Sequence, residues 1–190
     1  MKKLAIYDFD DTLMETPNPD PGKEIWSKAR GEPYPHKGWW GRKESLDTDV
    51  FEINPNPKIL SSLNKDVVNP NVYVVILTSR IERLRPQIEN ILQQHNIVVD
   101  DVLLKRGNET KGDVILAYVN KMPELEKIEV YDDFAGGKEN KIKEFTDIVG
   151  KLPEDIEYNI YRVVDGNFSL MESTNNVLNI ILEELRKLKS

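Results

Sequence analysis

The chain has 190 residues, enough for one domain, with 33 acidic against 26 basic residues, a net charge of −7, two histidines and no cysteine. The missing cysteines exclude disulfide scaffolds, thiolate metal sites and cysteine nucleophiles, and two histidines are too few for a His-rich metal centre. The acidic balance argues against broad duplex binding, which needs a basic surface.

No apolar run approaches the ~18–20 residues of a membrane span. Met1-Lys2-Lys3 is followed only by Leu4-Ala5-Ile6-Tyr7 before Asp8, too short for the apolar region of a secretory leader, so a cytoplasmic location and no membrane partner are expected. Residues 3–7 predict a first strand that ends in Asp8-Phe9-Asp10-Asp11-Thr12. Residues 13–55 are proline-rich without periodicity. A structureless loop of that length is improbable in a compact domain, so they are expected to form a cap-like insertion with its own local structure.

Residues 72–77 are β-branched and predict a second strand ending in Thr78-Ser79-Arg80. Pro86 opens a helix on which Ile88, Ile91, Leu92 and His95 share the apolar face. A third strand is expected at 101–104. Thr110, with Asp113 three residues on, has the form of a capping box ahead of a helix bearing Val114, Ile115, Tyr118 and Val119. Residues 128–131 predict a fourth strand ending at Asp132-Asp133, Ile142, Phe145 and Val149 a helix, residues 156–164 a fifth strand, and Leu178 to Leu188 a last helix. The alternation describes an α/β fold over residues 1–190: a single domain with a Rossmann-like parallel sheet of about five strands flanked by helices, and the insertion after the first strand.

The polar clusters fall at the C-terminal ends of the predicted strands, the edge where open parallel sheets bind ligands. Asp8 and Asp10 lie two apart, so their carboxylates can share a side, and their repulsion is relieved by a cation between them or a retained proton. The first outcome suits a metal-held nucleophile, and the second a general acid/base. Asp132 and Asp133 add the hard oxygens that Mg²⁺ takes. The Thr78 hydroxyl and Ser79 amide are candidate donors to phosphoryl oxygens, Arg80 a candidate clamp, and Lys111 sits in the first turn of its helix, where an intervening phosphate explains a cation best. The set suits phosphoryl transfer, in which positioning and charge neutralisation carry most of the catalysis.

Asp8-x-Asp10-x-Thr12-Leu13 after an apolar strand resembles motif I of the haloacid dehalogenase-like (HAD) superfamily, and Thr78, Lys111 and Asp132-Asp133 resemble its motifs II, III and IV. The resemblance implies a nucleophilic Asp8 and an acid/base Asp10. It also implies a Mg²⁺ site built from Asp8, the Phe9 carbonyl and an Asp of the 132–133 pair, with Asp10 a further candidate metal residue and the phosphoryl group on Thr78 and Lys111. Lys111 directly follows Thr110, so Lys105 and Arg106 remain alternatives for the motif III role. Phe134 stands where many relatives carry arginine. Thr16-Pro17-Asn18-Pro19, Gly38-Trp39-Trp40-Gly41, Leu77-Thr78-Ser79-Arg80 and Tyr131-Asp132-Asp133 are similar, more narrowly, to the Swiss Army Knife RNA-repair-like group and to polynucleotide phosphatase modules.

The insertion holds Trp26, Trp39 and Trp40, and between Lys23 and Lys43 six Lys/Arg face two acids. Basic residues interleaved with aromatics suit a nucleotide or a single-stranded end, which makes Trp39 and Trp40 candidate substrate contacts. The expected activity is a Mg²⁺-dependent phosphomonoester hydrolase working through an aspartyl-phosphate, on a nucleotide or an RNA or DNA terminal phosphate. The alternatives are a small-molecule phosphatase and a non-catalytic phosphate-binding module.

Overall fold

The computed structural model describes residues 1–173; the helix expected at 178–188 lies outside them. Six strands form one sheet: β1 (Lys3–Tyr7), β2 (Val72–Ile81), β3 (Asp101–Lys105), β4 (Lys127–Asp132), β5 (Glu157–Val164) and β6 (Asn167–Ser173), in the order β3-β2-β1-β4-β5-β6. The first five run parallel and β6 is antiparallel to β5. Six α-helices are described: α1 (Pro19–Arg30), α2 (Pro57–Val67), α3 (Arg85–Gln94), α4 (Lys111–Lys121), α5 (Phe134–Gly137) and α6 (Glu139–Thr146). None is long and apolar enough to cross a membrane.

Parallel strands covered on both faces read as unbroken apolar runs, and the period-two alternation then divides the core. Ala5 and Tyr7 of β1 join Val74 and Ile76 of β2 beneath α2, α3 and the insertion, while Leu4 and Ile6 join Val75, Ile128 and Val130 beneath α4 and α6. On the first face Tyr7, Tyr131 and Tyr161 stack ring on ring across three strands, with centroids 4.7 Å apart at each step. The Tyr7 hydroxyl donates to Asp66 at 2.7 Å, and Lys3 bridges Asp66 and Glu129, so the buried acids on this face are paired.

Two elements depart from the sequence expectation. The sixth strand follows a two-residue Asp165-Gly166 turn in which both residues have positive φ (46° and 74°), the primed geometry that matches strand twist. Helix α2 starts at Pro57 behind Asn56, whose side chain accepts from the Lys58 and Ile59 amides, and it buries Ile59, Leu63 and Asp66.

Residues 13–55 hold α1 and a 3₁₀ turn at Lys43–Leu46. Their ends meet: Met14 pairs with Pro55, the Glu15 amide donates to Asn54 O at 2.9 Å, and the Asn56 amide donates to Leu13 O at 2.8 Å. Trp26, Trp39, Leu46 and Phe51 are buried and pack this segment onto the domain.

Candidate active site

The chain runs from β1 outward to β2 and β3, then returns to place β4 on the other side of β1, so the topological switch point lies between β1 and β4. Ligands bind outside the carboxyl ends of the strands at that point. Asp8 follows β1 and its amide donates to Tyr131 O of β4 at 2.9 Å, which seats it beside Asp132. Both acids are buried, at 6% and 4% exposure.

Lys111 stands between them, its Nζ 2.6 Å from Asp8 Oδ1 and 2.6 Å from Asp132 Oδ2. Two local features put it there. Thr110 and Asp113 form a reciprocal capping box that fixes the first turn of α4. Gly112, the next residue, lets that turn press against α6: a Cβ there would lie 2.2 Å from Glu144 O. Burial works against the Lys111 charge, but Asp132 and Asp8 outweigh it and hold the ammonium above its ordinary range. Burial, with Asp132 and Asp10 nearby, raises the Asp8 carboxyl, and Lys111 opposes the shift.

Carboxylate oxygens of Asp8, Asp132 and Asp133 lie within 4.8 Å of one another. Three hard oxygens against one ammonium leave excess negative charge, and the donor set fits a small divalent cation of the Mg²⁺ type. The loop that presents them is built for it: Phe134 N donates to Asp132 Oδ1 at 2.6 Å and Ala135 N to Asp133 Oδ1 at 2.9 Å, with Phe134 and Ala135 both left-handed. The Phe134 ring is fully buried edge-on against Phe145, 5.4 Å away, so the residue in the arginine position serves as an anchor.

Not every candidate joins this cluster. The Phe9 carbonyl accepts from the Met14 amide at 2.9 Å in the turn after β1. The Asp10 carboxylate likewise stands outside the three-acid cluster. It accepts from Thr16 Oγ1 at 2.9 Å and from Arg80, through Nε at 3.0 Å to each oxygen and through NH2 at 2.7 Å.

Arg80 is therefore no open phosphate clamp. Its side chain is 1% exposed, and its remaining nitrogen donates to Trp40 O at 3.0 Å and Ser45 Oγ at 2.6 Å. Every nitrogen of the fork is used, and together they tie Asp10 to Trp40 and Ser45. Thr78 and Arg80 belong to β2 itself, which runs past the expected end at 77 with a register irregularity between Thr78 and Ile81. Thr78 is buried and accepts from the Arg80 amide at 3.1 Å, while Ser79 is exposed and lines the pocket. Lys105 at the end of β3 and Arg106 just after it are exposed and line a neighbouring cleft, so the position between the acids belongs to Lys111.

The pocket over these groups holds about 620 Å³ and is rimmed by Asn18, Pro19 and Trp40 from the insertion and by Lys138 and Lys141 opposite. The two adjacent tryptophans part company. Trp39 is 3% exposed, donates from Nε1 to Pro17 O at 2.7 Å and packs on Phe51, so it is core and not a substrate contact. Trp40 is 38% exposed and lies over the Arg80 guanidinium, 5.2 Å from ring centre to Cζ. His95 Nε2 sits 2.8 Å from Ile53 O, away from the pocket. Thr16, whose segment resembles the subgroup, and Ser45, which no sequence signal marks, complete the Asp10–Arg80 support.

The mostly parallel sheet thus carries its acidic cluster at the switch point between β1 and β4. Residues 18–184 match HAD domain family 1 of the Swiss Army Knife RNA repair proteins, and the chain belongs to that family. It is 26% identical over 158 residues to the Saccharomyces cerevisiae uncharacterized protein YMR265C, covering 69% of this chain and 34% of that one, so it spans about a third of that relative's length. Among solved structures it resembles the HAD domain of the Legionella pneumophila effector Lem4, an inactive mutant, at a TM-score of 0.51 and 17% identity over 96% of this chain and 93% of that one. A chain of the Pnkp1/Rnl/Hen1 complex aligns at a TM-score of 0.46 and 17% identity, over 88% of this chain and 48% of that chain.

Proposed function

We propose that the protein is a Mg²⁺-dependent phosphomonoester hydrolase that acts through an aspartyl-phosphate on the terminal phosphate of a nucleic acid or nucleotide. The observation that carries the reading is the buried Lys111 ammonium held between Asp8 and Asp132, with Asp133 beside them. Asp8, Asp132 and Asp133 would hold the cation, which would supply positive charge against the phosphoryl oxygens.

A carboxylate oxygen of Asp8 attacks phosphorus and the bond to the ester oxygen breaks. The departing oxygen takes its proton from solvent, and the Asp10 carboxylate then accepts a proton from the water that attacks the same phosphorus and releases Asp8 as carboxylate. Arg80 and Thr16 hold the Asp10 carboxylate for that transfer. Lys111 and Ser79 contribute charge and hydrogen bonding to the phosphoryl oxygens.

For substrate, the exposed Trp40 ring at the pocket rim supports a base-bearing ester, and the family's association with RNA repair supports a nucleic-acid end. The test is phosphate release from an aryl phosphate, a mononucleotide, a sugar phosphate and a terminally phosphorylated oligonucleotide, with and without Mg²⁺, by wild type and Asp8→Asn. Metal-dependent turnover that Asp8→Asn abolishes is expected, fastest on the oligonucleotide. Equal rates on all four esters defeat the nucleic-acid reading, and rates no higher than those of Asp8→Asn leave a binding module.

A further inference from the structure

Beside the catalytic pocket lies a second, smaller cleft of about 90 Å³. The two share Ser79, Lys111, Lys141 and Glu144 as walls, so they are neighbouring compartments of one depression. The small cleft is closed on its far side by Lys105 at the end of β3 and by Arg106 and Asn108, where Gly107 turns the chain with a φ of +56°.

The charges on this wall differ in what they already do. Lys111 is consumed by Asp8 and Asp132, and Lys141 is paired with Glu144 at 2.6 Å. Arg106 comes no nearer to an acid than the 4.0 Å of Glu82, at 69% side-chain exposure, and among the described residues no ion pair engages Lys105. Lys105, and Arg106 beyond its 4.0 Å pair with Glu82, therefore face a compartment that Glu109 and Glu144 also line and that opens onto the catalytic lysine. Its size admits a tetrahedral anion with its waters. The other basic cleft, walled by Arg42, Lys43 and Arg83, shares no residue with the catalytic pocket.

We infer that the cleft of Lys105 and Arg106 is a second anion subsite, which takes the phosphate one sugar removed from the scissile phosphate. This rests on the hydrolase reading and narrows its substrate class to esters with a second phosphate: the penultimate phosphodiester of an oligonucleotide, or a nucleoside bisphosphate. The base and sugar stay in the larger pocket beside Trp40 while the two phosphates occupy the two compartments.

The test compares wild type with a Lys105→Ala/Arg106→Ala double variant on an aryl phosphate, a nucleoside monophosphate, a nucleoside 3′,5′-bisphosphate and a short oligonucleotide with a terminal phosphate. Loss of about tenfold in kcat/KM, taken mainly in KM, is expected on the oligonucleotide or the bisphosphate, with the other two esters unchanged. A loss confined to the oligonucleotide identifies the diester as the ligand; a loss on the bisphosphate identifies a free phosphate. An equal loss on the aryl phosphate places the pair on the scissile group and overturns the subsite, as does no loss on either doubly charged ester.

If no ester is turned over by wild type, the hydrolase reading fails while the subsite is still decided by equilibrium binding of the same oligonucleotide. The slope of log affinity against log salt then becomes shallower by about 1.4 in the double variant, at ~0.7 per cation on a single strand. An unchanged slope overturns the subsite.

Discussion

Replacing Arg80 by methionine tests the link between the insertion and the second aspartate. The side chain is 1% exposed and its partner Asp10 is 19% exposed, so the ion pair is largely sheltered from solvent screening. Methionine fills much of the volume but leaves the Asp10 carboxylate without its fork and strips Trp40 O and Ser45 Oγ of a charged donor. Breaking a buried pair from one side costs about 3–5 kcal/mol, because the surviving charge stays desolvated. Part of that cost belongs to the pair itself. In an Asp10→Asn background the same change should cost less by about 1.5–3 kcal/mol, the coupling typical of directly bonded groups. Urea unfolding followed by tryptophan fluorescence, for the four members of the cycle, measures both figures. A single-variant cost below about 1 kcal/mol, or additive costs within ~0.5 kcal/mol, refutes the assignment of Arg80 as the tether.

Lys111→Met leaves Asp8 and Asp132 facing each other without the ammonium, so the melting temperature in chelator should fall by about 10 °C and recover in part with Mg²⁺; calorimetry with and without the metal checks this. Gly112→Ala drives a Cβ to 2.2 Å from Glu144 O, so a cost of about 1–3 kcal/mol is expected, with phosphatase activity reduced as the first turn of α4 shifts. Burial opposes the charge on Glu129, but Lys3 and Lys127 hold its carboxyl below the ordinary range. The unfolded chain then binds this proton first, and the contribution, complete above a pH of about 4.3, is lost as pH falls through the lower folded value. Glu129→Gln should flatten that acid limb in a series of urea midpoints against pH. Trp39→Ala should cost about 3–5 kcal/mol of stability, whereas Trp40→Ala should leave the unfolding midpoint within ~0.5 kcal/mol and slow oligonucleotide turnover more than aryl phosphate turnover.

The strands legible in the sequence are those buried on both faces, because a parallel strand under two helical layers is mostly apolar. Residues 3–7 and 128–131 announce themselves for that reason, their two charged members Lys3 and Glu129 being paired with each other, and each is followed by an acid of the cluster. The capping box at Thr110 was equally plain, since it depends on two residues at fixed spacing. Strand β6 was missed because Phe168 and Leu170 lie on a half-covered edge, although Asp165-Gly166 is itself a hairpin signal. Helix α2 was missed behind Asn56-Pro57, a start signal hidden in a proline-rich stretch. Within the site, the sequence carries the acids but not their directions. Asp10 and Arg80 are 70 residues apart, and nothing local reveals that the guanidinium faces the aspartate instead of an incoming anion. Trp39 and Trp40 show the same limit, since neighbours in an irregular segment point opposite ways by backbone geometry alone.

The paired ends of residues 13–55 form a narrow neck: Leu13 bonds to Asn56 and Glu15 to Asn54, so the whole excursion leaves and re-enters the domain at one place. Closing the detour at its base keeps the entropic cost of its length small. The neck is not the sole attachment, since Arg80 of β2 bonds Trp40 O and Ser45 Oγ and Trp39, Leu46 and Phe51 sit in the core. A segment exchanged at Met14 and Pro55 would therefore have to bring a partner for Arg80 and a matching apolar face along with any new roof for the pocket.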